Sequence, residues 1–335
     1  MNLQLLQPQE QAADLPSETC APAAEGAQTA KSPPSASAPG PADGEAVSHH
    51  GEIMQGVFPA RDGTAQHALV TLPCRLFRTC ARFRPAPSGP ITVEPSGRFR
   101  ALNAARLTLG AISRTGWGGK LYLSSDVPLC WGCGSSTADV VATIRAVTTS
   151  FAVVLEPDRI ARLSVAAELA SDPLMYEPTR ALLFAQRQGY VLLDLGGALP
   201  PLSVLGVNTG EHLRVETLAL PLISYSSWEL GAFQTMLGLL RRAVEQQDAF
   251  LLGRVATAST VINQRHRPKQ FMSQILHLAH RSGALGVQVA HSGTVAGLLF
   301  ERGNATCLEY ARAQLKRLGL RHWEFTTEPP TEVGM

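Results

Sequence analysis

The stretch SSDVPLCWGCGSSTADVVATIRAV, Ser124 to Val147, decides how the rest of the chain is read. Cys130-Trp131-Gly132-Cys133 has the spacing of a redox dithiol, whereas Gly132 to Thr137 has the composition of a loop that cradles phosphate. A Gly- and Ser-rich turn opening a helix aims several backbone N–H groups, and the positive end of the helix dipole, at one point. Gly132 and Gly134 free the backbone there, and Ser135, Ser136 and Thr137 add hydroxyls suited to phosphate or Mg²⁺. In the plainer reading Ser135 or Ser136 is only an N-cap and the glycines only turn the chain. No Gly-Lys-Ser/Thr occurs, so the loop is not of the Walker type.

The dithiol reading has chemistry behind it, because a Cys-x-x-Cys at a helix start lowers a thiol pKa. Its context is wrong: a thioredoxin-like pair follows the first strand of a strand–helix–strand unit, and here about a hundred residues precede it. A zinc site would need two more ligands, and Cys74 and Cys80 are not spaced by two to four residues. The plain alternative is a pair of small buried apolar residues.

Composition narrows the function classes. The chain has 335 residues, 45% of them hydrophobic, which is enough for one large or two ordinary domains with a sizeable core. A formal charge of +2, with both signs interspersed, gives no footprint for nucleic acid or an anionic membrane. Six cysteines at irregular spacing make no disulfide framework, so reduced thiols in a cytoplasm are expected. No basic start followed by an apolar run, and no stretch of about 18 uncharged apolar residues, points to secretion or membrane insertion. A small molecule is the expected partner; the oligomeric state is not legible.

Residues 1–47, rich in Ala, Pro, Ser, Gln and Glu, are expected to be a disordered tail, since they cannot bury enough surface to offset their ordering entropy. Beyond Gly51, ALVTLPCRLFRTCARFRP, PITVEPSG and GGKLYLSSDVP read as strands between Pro and Gly punctuation. Ala138, Val141, Ile144 and Val147 then mark a helix beginning between Ser135 and Ala138, and a second runs from Pro157 to Ala170 with proline in its first turn. GYVLLDLG and PLSVLGVNTG read as strands, followed by helices near 228–247, 248–262 and 268–282 and by LGVQVAHSGTVAGLLFE. Strands and helices come in clusters rather than in alternation, so the class is α+β rather than a doubly wound parallel sheet.

Three further segments agree with the phosphate-loop reading: GEIMQGVF (Gly51–Phe58), SDPLMYEPTRALLFAQRQG (Ser171–Gly189) and GVQVAHSGTVAGLLF (Gly286–Phe300). With the glycine loop and HALVTLPCRLF, they resemble the GHMP kinases over roughly Gly51 to Phe300, and within that family the L-threonine kinases of cobalamin biosynthesis and propanediol utilisation. The resemblance implies a two-lobed fold, with an ATP-binding α+β lobe at 48–180 and a ferredoxin-like lobe at 181–325. It places ATP along Pro128, Gly132, Cys133, Gly134, Ser135, Ser136, Thr137 and Ala138. Mg²⁺ would lie at Ser136, with Glu168 as the second ligand. Glu52 and Gln55 fall where the first motif lines the substrate pocket, and His291, Ser292, Gly293 and Thr294 approach phosphates and substrate from the other lobe. Asp172 aligns with an aspartate that faces the acceptor hydroxyl, and is the candidate base.

The residues by themselves leave plainer options open. Asp172 would simply end a helix before Pro173 and Glu168 would be a solvated helix residue, whereas in the functional reading Glu168, one helical turn earlier, puts a carboxylate on the same face as Asp172 and holds Mg²⁺. Asp139 would complement the helix dipole. Asn263 to Lys269, NQRHRPK, would be a solvated basic turn or a phosphate contact. Trp131, Cys130 and Cys133 depart from the family pattern, as does Asn208 in GVNTG. Trp131 is expected to overhang the nucleotide. The resulting expectation is ATP- and Mg²⁺-dependent phosphorylation of an amino acid hydroxyl, with L-threonine the leading acceptor. The rivals are a non-catalytic metabolite-binding protein of the same fold and a dithiol redox protein.

Overall fold

The long strands β1 (Ala42–Pro59) and β2 (Ala65–Ala86) pair antiparallel from Ala42↔Phe83 to Pro59↔Ala65 in the computed structural model, which describes residues 38–210, 221 and 223–327. The strand begins inside the stretch expected as tail, because Ala46, Ser48 and their neighbours bury against β2 and the helix beneath; the remainder of that expectation, residues 1–37, lies outside the described residues. The β1–β2 register slips between Val47 and Ser48, between His49 and Glu52, and between Glu52 and Met54. Such bulges bend a strand and re-aim its side chains. Here they break the alternation, so that Ser48 to Gly56 are all buried and His49 and Glu52 turn toward the same cleft.

The sheet continues as β10-β7-β9-β8-β1-β2-β4-β3, with β3 (Ile91–Glu94), β4 (Gly118–Ser125), β7 (Leu202–Asn208), β8 (Gly286–Val289), β9 (Val295–Glu301) and β10 (His322–Thr326). Its two halves meet in the single pairing Glu52↔Val289. The hairpin β5 (Leu182–Ala185) and β6 (Tyr190–Asp194), expected in the second lobe, attaches instead to β2 through Leu69↔Phe184. Helices α1 (Phe99–Ala111), α2 (Ser135–Ser150) and α3 (Pro157–Glu168) pack with β1, β2 and β4 into one core. Helices α4 (Ser227–Gln246) and α5 (Ala249–His266) enclose a second with Ile53, Phe58 and Leu72. Helices α6 (Met272–Arg281) and α7 (Ala305–Arg317) cover a third on β7, β8 and β9. Each fully buried Leu, Ile or Val in these cores contributes about 1.5–3 kcal/mol. The architecture is the α+β class expected.

Helix α2 is central, with Thr137 to Ile144 buried without a break. A run without amphipathic alternation suits a helix enclosed by sheet and helices on every side. Strands β7, β8 and β9, and helices α2 to α6, stand close to where periodicity puts them. Helix α1, helix α7 and strand β10 are additions that the sequence reading lacks. Among the described residues no helix is long and apolar enough to cross a membrane.

Candidate active site

The glycine loop leads into α2 through left-handed backbone at Cys130 (φ 64°), Gly132 (φ 85°) and Gly134 (φ 74°). Gly134 is the helix N-cap and has no side chain to cap with; Ser135 and Ser136 are the first helical residues, so neither serine is spent as a cap. The N–H groups of this first turn have no helical carbonyl to bind, and the helix dipole adds positive potential at the same end. A Cβ at Gly134 would stand 2.5 Å from His49 Cδ2 and 3.3 Å from Asp172 Oδ2. One at Gly132 would meet Ala290 at 2.5 Å and Gly293 at 3.0 Å. Glycine at both positions therefore lets the loop lie directly against the first and third motifs.

Two carboxylates approach α2 from the end of α3 and the turn after it. Glu168 is the last residue of α3, Leu169 turns the chain at φ 69°, and the Ser171 N–H donates to Gln186 O at 2.9 Å. Asp172 is thus on a loop, not on one helix face with Glu168. The two converge on Thr137, whose hydroxyl donates to Glu168 Oε1 at 2.8 Å and lies 3.4 Å from Asp172 Oδ2. The Ser136 hydroxyl donates to Glu168 Oε2 at 2.5 Å, and Arg100 donates to Ser136 Oγ at 3.0 Å.

His49 completes this group. Its Nε2–H donates to Asp172 Oδ2 at 3.0 Å, and its Nδ1 faces Gly51 O at 3.4 Å and Glu52 Oε1 at 3.8 Å. Burial works against a charged imidazole here, but the Asp172 and Glu52 charges outweigh it and hold His49 up at about 9. Burial also opposes ionisation of Asp172, and the His49 charge overcomes it, leaving that carboxyl below its ordinary range. Glu52, 3% exposed, is pushed by burial to about 8, with the His49 charge offsetting part of the rise. Burial likewise raises Glu168 to about 7 against the hydrogen bonds from Ser136 and Thr137. Ligand atoms of His49, Glu52 and Asp172 lie within 4.8 Å of one another, so near neutral pH the charged imidazole stands between an ionised Asp172 and a protonated Glu52 in a coupled triad.

This triad has a consequence for stability. The folded protein holds a proton on His49 between pH 6.5 and about 9, where the unfolded chain has released it, and one on Glu52 between 4.5 and about 8. Both contributions are present at low pH and are lost as pH rises. Urea unfolding of the ligand-free protein is expected to show stability falling between pH 6.5 and 9, by at most about 1.4 kcal/mol per pH unit for each group. Glu52→Gln should flatten the slope below pH 8; a slope unchanged by that substitution contradicts the assignment.

A cleft of about 580 Å³ opens in front of these groups. Of the residues singled out in the sequence, Glu52, Gly132, Gly134, Ser135, Ser136, Thr137, Glu168, Asp172, His291, Ser292 and Gly293 line it. Pro128, Cys133, Ala138, Gln55 and Thr294 do not. Cys133 and Ala138 are buried behind the loop, and the Ala138 N–H is taken by Gly134 O at 2.8 Å. Gln55 acts one step back: its Oε1 accepts from His291 Nδ1 at 2.6 Å and from Asn263 Nδ2 at 3.0 Å. This fixes the His291 tautomer and leaves Nε2 as an acceptor, and burial keeps the ring neutral by lowering it to about 3. Asn263 therefore belongs to the site's support and Arg267 to its wall, rather than to a solvated turn. Asp139 is likewise no mere dipole complement; it is buried, paired with Arg98 at 2.9 Å and bonded to Thr79 at 3.0 Å.

Residues the sequence reading missed are His49, Arg98, Arg100, His67 and Arg187. His49 stands two residues before the Gly-Glu of the first motif, and that adjacency was the signal available. Phe99 and Leu129, 75% and 57% exposed, stand at the cleft lip. Trp131 does not overhang the cleft; its ring stacks on Trp323 at 5.2 Å. The dithiol reading fails on the same loop, because Cys133 is 1% exposed and burial drives its thiol far above the ordinary range. A thiolate, the reactive form, is thereby disfavoured.

A glycine loop at a helix N-terminus thus faces a half-buried carboxylate across the cleft. Residues 100–173 match the GHMP kinases N terminal domain. The fold is that of the GHMP kinases, and the chain, which carries their N-terminal domain motif region, is a kinase. It is 29% identical over 206 residues to the L-threonine kinase of Citrobacter freundii, across 61% of this chain and 70% of that one. Among solved structures, the homoserine kinase from Cytophaga hutchinsonii has a TM-score of 0.64 at 17% identity, covering 90% of this chain and 96% of that chain. The mevalonate kinase of L. major, in complex with R-mevalonate, has a TM-score of 0.57 at 17% identity, covering 87% and 95%. At these identities the likeness to the solved structures is one of fold.

Proposed function

We propose that this kinase transfers the γ-phosphoryl group of ATP to the side-chain hydroxyl of a small amino acid, L-threonine first, giving O-phospho-L-threonine of the kind a cobalamin-type pathway consumes. The observation that carries the reading is the position of Asp172: it is held by His49 and Thr137 and faces the glycine loop across the cleft. The first turn of α2, from Ser135 to Thr137, holds the phosphates by backbone N–H groups, and Arg100 adds charge. Asp172 hydrogen-bonds the acceptor hydroxyl. As the oxygen–phosphorus bond forms and the β–γ bridging bond breaks, the hydroxyl proton passes to Asp172 and ADP leaves. His49 orients that carboxylate and keeps it ionised, ready to take the proton as transfer proceeds.

The chemistry of the donor set suits Mg²⁺. Ser136 Oγ and the Glu168 carboxylate are hard oxygen ligands, and Glu168 is a buried carboxylate pushed up to about 7, with no ion pair to it among the described residues. These two residues would hold the ion, which when bound neutralises phosphate charge.

The acceptor end supports an amino acid. Glu52 Oε2 is buried without a hydrogen-bond partner among the described residues, and His291 offers Nε2; an α-ammonium seated there would draw Glu52 into its ionised form and meet two acceptors. Arg187 and Arg267 line the same cleft and suit a carboxylate. Cys74, Cys80, Cys130, Cys133 and Cys307 are all unpaired, which supports a reducing, cytoplasmic setting. A coupled ADP-release screen of L-threonine, L-serine, L-homoserine and amino alcohols tests the reading, and no turnover on any of them would sink it. Glu52→Gln is expected to raise KM for L-threonine about ten- to a hundredfold while changing turnover of 3-hydroxybutyrate little. Equal losses on both acceptors would remove Glu52 from ammonium recognition.

A further inference from the structure

Trp131 has no part in the chemistry above, although it lies between two left-handed residues of the phosphate loop. Its ring stacks on Trp323 of β10 with centroids 5.2 Å apart and planes 24° from parallel. The Arg321 guanidinium carbon lies 4.9 Å from the centre of the Trp131 ring. The Trp131 carbonyl accepts two N–H groups of the third motif, from Thr294 at 2.9 Å and Val295 at 3.0 Å. Strand β10 is itself fixed to β7 from His322↔Val207 to Thr326↔Ser203. Trp323 also meets His50 edge-on at 5.4 Å, next to the histidine that holds Asp172.

We propose that the Trp131–Trp323 stack, flanked by Arg321, clamps the phosphate loop in its nucleotide-binding shape and makes Trp323 a positioning residue for ATP. The proposal rests on the loop being the ATP site. Cys130, next to Trp131, holds a left-handed φ of 64° that a residue with a Cβ keeps only where its surroundings over-determine it. Glycines there would otherwise sample many conformations, and each binding event would carry the cost of ordering them. The clamp removes that cost in advance. It grips the loop by ring and by carbonyl, from a strand about 190 residues away in sequence, and it leaves the cleft-facing N–H groups free.

The full-length chain tests this by Mg²⁺-ATP calorimetry together with KM values for ATP and for the acceptor. Trp323→Ala is expected to weaken ATP binding about tenfold and Trp323→Phe less, with the acceptor KM within about twofold of wild type. The Trp131→Ala, Trp323→Ala pair should be no weaker than the worse single variant, because both remove one contact. Gly206→Ala perturbs the stack from its far side, since a Cβ there would stand 2.5 Å from Trp323 Nε1 and 2.6 Å from His50 Nε2. It should weaken ATP binding in the same direction and carries the test if Trp323→Ala does not fold. A merely structural tryptophan would lower the melting temperature and move both KM values together. Wild-type ATP affinity in folded Trp323→Phe and Gly206→Ala proteins would overturn the clamp and leave the kinase reading standing. No ATP affinity in the wild type would overturn both.

Discussion

Asp172→Asn is expected to lower kcat about 10²–10⁴-fold while leaving KM for ATP within a few-fold, the span that a positioned general base contributes. The amide keeps the shape of the carboxyl and the contact with Thr137, but it cannot take the hydroxyl proton and it leaves the His49 charge without its partner. A second effect follows from that pairing. Once Asp172 is neutral, the charge that holds His49 at about 9 is reduced to that of Glu52, so the imidazole pKa should fall. Its titration by NMR should move downward in Asp172→Asn, which separates loss of the ion pair from misfolding. Wild-type kcat in a folded Asp172→Asn protein would remove the base assignment.

Gly134→Ala is expected to lower kcat/KM about a hundredfold and to destabilise the fold by about 1–2 kcal/mol from backbone strain alone. The position needs φ 74°, and the added methyl would stand 2.5 Å from His49 Cδ2 and 2.8 Å from Nε2. The imidazole is flanked by Asp172 and by Gly51 O, so relief comes by displacing either the loop or the residue that orients Asp172. Either movement shifts a reacting group, and a displacement of about 1 Å is enough for such a loss. Urea unfolding and initial rates with saturating ATP measure the two effects separately. If Gly134→Ala kept wild-type rates, the close contact between loop and His49 would have no catalytic weight.

Much of the fold could be read directly. The apolar period of α2, the proline that opens α3 and the strands β7, β8 and β9 stand out because each is a local pattern. Helix α1 is hard to read because, of its buried positions, Ala101, Ala104, Ala105 and Thr108 are small or polar and only Leu109 is large and apolar, which gives a weak stripe. Strand β10 was missed for a related reason: its half-buried Trp323 and buried Phe325 are separated by charged Glu324, and its partner β7 is more than a hundred residues away. Residues 42–47 look like tail in the sequence because, Val47 apart, Ala, Asp, Gly and Glu carry no strand propensity of their own. It is the pairing with β2 that makes them a strand.

For the site, the chain's own order of residues determined that a glycine- and serine-rich turn opens a helix and that Glu168 and Asp172 follow at short range. Both depend only on local backbone geometry and on the kinds of side chain present. What the tertiary structure alone decided is which groups share the cleft. The bulges around Gly51 aim His49 at Asp172, 123 residues away, and the turn after α3 sends Asp172 and Glu168 to Thr137 by separate routes. Burial, another property of the folded chain alone, then raised Glu52 and silenced Cys133, while the Asp172 and Glu52 charges raised His49 against it. Ionisation depends on desolvation and on neighbouring charge, and neither exists until distant segments have closed around the group.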